Sequence, residues 1–187
     1  GIEKITGVRP EFEQFDLTDE KATRDFFARH KDIKAVIHFA ALKAVGESVS
    51  KPLEYYKNNL NSLMNVLSSM REFGVKNLVF SSSCTVYGQA DVLPVTEQTP
   101  RKQAESPYGN TKAMCEDIMR DLAHVEKEMN LIALRYFNPI GAHPSANIGE
   151  LPNGIPNNLI PYLTQTVAGI REQLSVFGND YNTSDGT

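Results

Sequence analysis

The sequence predicts an α/β fold in which a parallel sheet carries helices on both faces. Short apolar runs alternate along the chain with amphipathic segments of ten or more residues, which is the order that a parallel sheet with crossover helices requires. Three of the apolar runs end in small or polar clusters, at residues 39–41, 81–83 and 136–138. Ligands of such sheets bind beyond the carboxyl ends of the strands. We therefore expect a binding site where these three clusters meet.

The first half of the chain contributes two helices and three strands to this prediction. Apolar periodicity, a capping residue before each helix and a breaker after it define the elements. In chain order they are a short alternating strand (11–16), a helix opened by Asp19 (19–30), a buried parallel strand (35–41), a long helix from Pro52 to Gly74, and a buried strand (78–80) that closes on a serine triplet (81–83).

The second half continues the same alternation after a loop at 88–106. Ser106 and Pro107 are typical of a helix N-terminus, and the helix is predicted to reach about residue 129. The remaining predicted elements are a buried strand (131–134), a Gly/Pro/Asn-rich loop (138–158), a helix (159–173) and a last short strand (174–177).

Composition narrows the class of protein. The 187 residues suffice for one domain with a core, and 41% hydrophobic and 22% charged residues are ordinary for a globular protein. No apolar run approaches the roughly 20 residues of a membrane helix, and we see no signal-peptide pattern. A net charge of −4 argues against a nucleic-acid partner. Cys84 and Cys115 lack CxxC spacing, so a reducing cytoplasm is the simplest location.

Tyr108 and Lys112 form the pair of residues that carries the chemistry. They lie four residues apart in a predicted helix and so project from one face of it. A tyrosine with a pKa of about 10 is a poor base, but a neighbouring ammonium favours the phenolate and lowers that pKa. Ser83, at a strand end, can hold a substrate oxygen. A YxxxK pair alone is common by chance, and its position after a strand and a serine triplet makes it informative.

Five sequence blocks carry a resemblance to a known family. They are HFAALKAVGES (38–48), SSSCTVYG (81–88), SPYGNTK (106–112), LRYFNPIGAHPS (134–145) and GIPNNLIPY (154–162). In order and spacing they closely resemble the UDP-galactose 4-epimerase (UDP-glucose 4-epimerase) family of the extended short-chain dehydrogenase/reductases. The resemblance implies a Rossmann-like doubly wound sheet, NAD as cofactor and UDP-galactose and UDP-glucose as substrates. It also implies a homodimer, through helices carrying residues 60–67 and 118–122.

The resemblance also implies roles for individual residues. Tyr108 would be the base, Ser83 its hydrogen-bonding partner, and Lys112 would hold the nicotinamide ribose. The implied cofactor-binding residues are Asp16, Leu17, Phe39, Ala40, Ala41, Lys43, Asn58, Ser81, Tyr108, Lys112 and Tyr136. The implied substrate-binding residues are Ser83, Tyr108, Asn138, Asn158, Leu159 and Phe177. From the residues alone, Phe39, Leu159 and Phe177 could equally be core, and Asn58 could be a helix-surface residue.

Two positions predict the type of reaction. Related sugar-nucleotide dehydratases and decarboxylases carry carboxylates just after the serine, where this chain has Cys84 and Thr85. Neither is a competent acid or base at neutral pH, so oxidation and re-reduction at C4 is the expected chemistry. A UDP-N-acetylhexosamine or UDP-uronate epimerase and a non-catalytic dinucleotide-binding protein remain the alternatives. His38 reads as a core histidine, and His143 has no second ligand at metal spacing, so we predict no metal.

The family's glycine-rich turn, GxxGxxG, has no counterpart in this sequence. We therefore expect residues 1–187 to be an internal part of a longer protein. They would form a partial NAD-binding domain, with the UDP-sugar-binding region starting at about residue 138. The N-terminal strand with its turn and the C-terminal substrate domain would lie outside it, and we do not expect these residues alone to turn over.

Overall fold

The computed structural model describes residues 1–150, 152 and 154–186. The chain forms two compact units, one of Phe12–Phe137 and the other of Gly1–Glu11 with Asn138–Thr187. In chain order the elements are α1 (Ile2–Thr6), α2 (Glu20–Arg29), β1 (Ala35–His38), α3 (Val45–Ser50), α4 (Pro52–Phe73), β2 (Asn77–Ser83), a 3₁₀ helix (Cys84–Tyr87), α5 (Pro107–Val125), β3 (Asn130–Tyr136) and α6 (Leu159–Val167).

The larger unit is built on a three-stranded parallel sheet in the order β1-β2-β3. Val79 of β2 pairs with Ile37 of β1 and with Ile132 of β3, so the three strand ends are in register. The core lies between this sheet and helices α2, α4 and α5. Its buried members are Phe27, Leu63, Val66, Leu67, Met70, Val75, Leu78, Phe80, Cys115 and Met119.

Within the larger unit, the described helices cover one face of the sheet and not both. Leu78 and Phe80 of β2 point into the core, whereas Ile37 and Ile132 on the opposite face are 65% and 52% exposed. The strand order explains this difference from the prediction. Right-handed crossovers that step repeatedly in one direction place every crossover helix on the same side of the sheet. Covering the second face requires a reversal of strand order, which does not occur among these three strands.

Local hydrogen bonds set the helix ends where the sequence predicts them. The Asp19 carboxylate accepts from the backbone N–H of Ala22 (2.9 Å), and the Ser106 hydroxyl accepts from that of Gly109 (3.1 Å). Both are N-caps that satisfy otherwise unpaired donors of the first helical turn. Gly74 closes α4 with a positive φ of 72°, a conformation that costs glycine little.

Several predicted elements are wrong or end elsewhere. Residues 11–16 and 174–177 form no strand, because no described strand pairs with either segment. Helix α6 ends at Val167, and Gly169 turns the chain with a φ of 72°. Helix α5 ends at Val125, four residues before the predicted end. Helices α1 and α3 and the 3₁₀ helix are additional to the elements predicted from the sequence. No helix in the described part of the chain is long and apolar enough to cross a membrane.

Candidate active site

The predicted catalytic serine and tyrosine meet at the carboxyl end of β2. Ser83 is the last residue of that strand and the N-cap of the 3₁₀ helix, and its hydroxyl accepts from the N–H (3.2 Å) and the hydroxyl (2.9 Å) of Thr85. Tyr108 lies in the first turn of α5, with its hydroxyl near enough to Ser83 for the serine side chain to lower the pKa of the tyrosine. The structure therefore brings together two residues that are 25 positions apart in the sequence.

Lys112 lies one helical turn after Tyr108 and is only 3% exposed. Its Nζ donates to the carbonyl oxygen of Ser81 at 2.7 Å and lies 4.8 Å from the ring centroid of Phe80 and 5.8 Å from that of Tyr108. Burial lowers the pKa of Lys112 to about 8. The carbonyl and the two ring faces are the groups that stabilise its ammonium in this setting.

The pKa of Tyr108 lies above its ordinary value. Burial raises it, the hydrogen bond with Ser83 lowers it, and the Cys84 thiol raises it further. Our expectation that Lys112 lowers this pKa stays a prediction, because the net shift is upward and burial is its largest cause. The Lys112 ammonium also approaches the face of the tyrosine ring and bonds to Ser81.

The loop between β1 and α3 is anchored by two buried residues that sequence reasoning missed. The Asn59 side chain accepts from the N–H of Leu42 (2.8 Å) and donates to its carbonyl (3.0 Å). Tyr55, one turn earlier on α4, accepts from the N–H of Ala44 at 3.1 Å. Burial and a hydrogen bond to Glu47 raise the pKa of Tyr55 to about 12. A polar residue on the apolar face of α4 was the sequence signal for Asn59.

Asn59 also connects this loop to the helix that carries the tyrosine. Its amide nitrogen donates to Thr111 Oγ1 at 3.0 Å, and that hydroxyl donates to the Tyr108 carbonyl at 2.7 Å. Asn59 and Thr111 are 3% and 0% exposed. This buried chain of hydrogen bonds fixes the β1–α3 loop relative to the first turns of α5.

Five of the predicted cofactor-binding residues line one cavity of about 400 Å³. They are Asp16, Leu17, Ala40, Ala41 and Asn58, and the cavity is completed by Phe15, Thr18, Leu42 and Ser62. Asp16 caps its own turn, accepting from the N–H and hydroxyl of Thr18, both at 2.8 Å, and these bonds lower the pKa of Asp16. The Asn65 side-chain amide donates a hydrogen bond to the Leu17 carbonyl oxygen at 2.9 Å.

The other predicted cofactor residues lie outside that cavity. The rings of Phe39 and Tyr136 are in contact, with centroids 6.3 Å apart at the ends of β1 and β3. Ser81 contributes its carbonyl to Lys112. Lys43 is exposed, and it is not among the residues that line the cavity.

A second cavity, of about 530 Å³, opens beside Ser83. Its wall includes Cys84 and Thr85, the two positions where related enzymes carry carboxylates. Helix α3 contributes Val45 and Val49. The 88–106 loop and Phe137 complete the wall. No carboxylate follows Ser83 directly in the sequence, and the carboxylate in this wall belongs to Glu105 of the 88–106 loop.

Within the smaller unit, three of the predicted substrate residues lie together. Asn158, Leu159 and Phe177 line a cavity of about 470 Å³ with Tyr162 and Leu174. Asn158 is the N-cap of α6, and Leu159 is its first residue. Asn138, the fourth predicted residue of this unit, is exposed and does not line this cavity. Within the described residues there is no cluster of three His, Cys, Asp or Glu side chains that could hold a metal ion.

Comparison with known proteins identifies relatives of the whole chain. A profile of the NAD dependent epimerase/dehydratase family matches residues 2–185. The chain is 54% identical over 186 residues to UDP-glucose 4-epimerase of Bos taurus and 55% identical over 186 residues to that of Bacillus subtilis (strain 168). The matches cover 100% of this chain and 53% and 54% of those proteins. The chain thus spans about half the length of the curated relatives it matches.

Solved structures agree with this assignment. The crystal structure of UDP-glucose 4-epimerase from Bifidobacterium longum, in complex with NAD+ and UDP, superposes with a TM-score of 0.95 at 47% identity and covers 100% of this chain and 55% of that chain. The UDP-Glc/GlcNAc 4-epimerase of Campylobacter jejuni gives a TM-score of 0.78 at 35% identity, with coverage of 100% and 56%. The predicted fold class and the family resemblance are confirmed.

Proposed function

The chain belongs to the NAD dependent epimerase/dehydratase family, and we propose that the protein containing it interconverts UDP-galactose and UDP-glucose by oxidation and re-reduction at C4. The observation that carries the proposal is the site at the end of β2. There Ser83 lies near Tyr108 and lowers the pKa of its hydroxyl, Lys112 is buried one turn away, and Cys84 and Thr85 follow the serine in place of carboxylates. Relatives at 54% and 55% identity with this printed activity support it.

The residues present fit an NAD cofactor. The 400 Å³ cavity is lined by the small side chains of Ala40 and Ala41, which leave room for a flat ring, and by polar groups of Asp16 and Asn58. We propose that this cavity holds the adenosine end, and that Ser81, Lys112, Phe39 and Tyr136 lie at the nicotinamide end. When bound there, NAD would supply the acceptor and donor of the C4 hydride, and its positive charge would favour the tyrosinate.

The chain's own residues would handle the proton. Tyr108 takes the proton of the C4 hydroxyl during oxidation and gives it back during reduction, while Ser83 holds the same oxygen through a hydrogen bond. Tyr108 is neutral at pH 7 by itself, since burial raises its pKa. The buried Lys112 ammonium lies near the tyrosine ring, but the pKa of Tyr108 is still above its ordinary value. A further positive charge in the site would therefore favour deprotonation of the tyrosine.

The substrate region is proposed to begin at residue 138. Asn158, Leu159 and Phe177 share a cavity in the smaller unit, and with Asn138 they would contact the UDP-sugar. The boundary of the compact units, between Phe137 and Asn138, supports a division into a dinucleotide-binding part and the start of a substrate-binding part. The cavity beside Ser83, with Cys84 and Thr85 in its wall, would receive the reacting sugar.

We also propose a cytoplasmic homodimer that contacts its partner through α4 and α5. Leu63 and Leu67 of the predicted stripe are buried in the core, and Leu60, Ile118 and Leu122 pack partly against it. Met64 and Met114 remain exposed, at 39% and 38%, and offer apolar surface. Sedimentation of the purified protein at micromolar concentration would give a dimer, and a monomer would overturn this part of the proposal.

The reaction is tested by product analysis in deuterated water. UDP-glucose incubated with the protein should give UDP-galactose without deuterium at C4, because the hydride returns without exchange with solvent. Deuterium at C4, or a 4-keto-6-deoxy product, would contradict the proposal. A strict preference for UDP-N-acetylhexosamines or UDP-uronates would favour the alternative epimerases, and binding without turnover would favour a non-catalytic role.

The tyrosine is tested by the Tyr108→Phe variant. It should retain nucleotide binding and lose turnover by about 100-fold or more, the typical contribution of an acid–base group. The control is Tyr181→Phe, at a tyrosine that is 68% exposed. Turnover of Tyr108→Phe close to that of the control would remove Tyr108 from the mechanism.

A further inference from the structure

A buried carboxylate on α5 receives hydrogen bonds from three different segments. Glu116 is 8% exposed, and its oxygens accept from Ser82 Oγ at 2.5 Å, from Arg135 Nε and Nη2 at 3.0 and 2.8 Å, and from Arg101 Nη1 at 3.4 Å. Burial raises the pKa of Glu116, but the bonds from Arg135 and Ser82 and the two arginine charges outweigh it, so the net pKa is lowered. The group is therefore an anion at neutral pH.

Glu116 and Lys112 attach α5 to two successive residues of β2. Lys112 Nζ donates to the Ser81 carbonyl at 2.7 Å, and Glu116, one helical turn later, accepts from the Ser82 hydroxyl at 2.5 Å. Two bonds spaced along the helix fix both its position along its axis and its rotation against the strand end. Tyr108 is one turn before Lys112 and Ser83 directly follows Ser82, so the same two bonds set the distance between Tyr108 and Ser83.

The arginines extend this attachment to the rest of the site. Arg135 precedes Tyr136 at the end of β3, and its guanidinium lies 4.8 Å from the ring centroid of Tyr87. Arg101 belongs to the 88–106 loop, which lines the cavity beside Ser83. It also donates to the Ala113 carbonyl at 3.0 Å and pairs with Asp117. One anion thus holds the end of β2, the end of β3 and the loop against α5.

We propose that Glu116 is a positioning residue for the C4 chemistry, which sets the register between Tyr108 on α5 and Ser83 on β2. The inference rests on the proposed function. Glu116 acts through Ser82, Arg101 and Arg135 and does not contact the hydroxyls of the catalytic pair in the hydrogen bonds described. A buried anion suits this role, because a fully satisfied polar network specifies one arrangement more narrowly than apolar packing does.

The test compares Glu116→Gln with Glu126→Gln in the protein that contains this chain. Glutamine keeps the shape of the Glu116 side chain, but it replaces one carboxylate oxygen by an NH₂ group, which cannot accept a hydrogen bond from Arg101 or Arg135. We expect kcat for UDP-galactose to fall about 10- to 100-fold, the scale of a small misplacement of reacting groups, while KM changes less than about twofold. Amide hydrogen exchange at 81–88 and 133–137 should become faster. Glu126, the C-cap residue of α5, accepts a hydrogen bond from Arg71 at 2.8 Å. Its replacement by glutamine should leave kcat and the exchange rates unchanged.

The outcomes separate positioning from stability. A Glu116→Gln protein with parental kcat and a lowered Tm would overturn the proposal and leave Glu116 a structural residue. If that variant does not fold, Ser82→Ala removes one donor and leaves the arginine pairs, and it should lower kcat about 3- to 10-fold with KM retained. A parental kcat would again overturn the proposal. If the parent does not epimerise UDP-sugars, the proposed function fails, and unchanged exchange at 81–88 in Glu116→Gln would then overturn the positioning role separately.

Discussion

Lowering the pH from 7 to 5 should destabilise the protein through one buried imidazole, His38 at the end of β1. The side chain is 4% exposed and stacks on Phe80 at 5.9 Å. Among the residues that the structure describes, His38 Nε2 is the only buried side-chain nitrogen or oxygen atom that lacks a hydrogen-bond partner. Burial, and then the charge of Lys112, lower the pKa of His38 from 6.5 to about 4. The folded state therefore holds His38 neutral.

The size of the effect follows from that difference in pKa. Between pH 6.5 and about pH 4 the unfolded chain binds a proton at this histidine that the folded protein does not, so stability falls as the pH falls through this window. The full difference in pKa corresponds to on the order of 3 kcal/mol in the free energy of unfolding. About 2 kcal/mol of this stability is lost between pH 7 and pH 5. For a folded unit of 187 residues, this loss corresponds to a decrease in Tm of about 4–8 °C.

Urea denaturation followed by circular dichroism at several pH values measures this loss. In His38→Phe, which keeps a ring against Phe80 and has nothing to protonate, the free energy of unfolding should lose about 2 kcal/mol less between pH 7 and pH 5 than in the parent. His124→Asn, at an exposed histidine of α5, is the control and should follow the parent. Equal pH dependence in His38→Phe and the parent would refute the reasoning.

Two further substitutions test the site and its helix. Lys112→Met should lower both turnover and the amount of NAD retained on purification, because it removes the charge beside Tyr108 and the bond to Ser81; unchanged cofactor content would contradict the proposed role. Ser106→Ala removes the acceptor for the Gly109 N–H and should cost about 1 kcal/mol in chemical denaturation. Ser68→Ala, at an exposed position within α4, is its control, and an equal effect in both would argue against the cap.

Much of the candidate site could be predicted because it is made of short motifs at strand ends. Ser83, Tyr108 and Lys112 were found from one strand end and one YxxxK spacing, and the structure brings them together. The cavity containing Asp16, Ala40 and Asn58 was predicted by resemblance and not by periodicity. Tyr55 and Asn59 were missed, because each acts by bonding a loop that lies 11 or 17 positions away in the sequence.

The sequence by itself determined the elements whose causes are local. Helix ends at Asp19, Ser106 and Gly74 depend on hydrogen bonds or backbone angles within a few residues. Strands β1, β2 and β3 could be predicted from the apolar composition of their own segments. Tertiary structure alone decided the one-sided covering of the sheet, since strand order depends on pairing between distant segments. Tertiary structure also decided that residues 174–177 form no strand and that burial raises the pKa of Tyr108. It likewise decided that Glu116 contacts Ser82, Arg101 and Arg135. Burial and long-range bonds depend on which segments meet in the fold, and the pattern of any single segment does not contain that information.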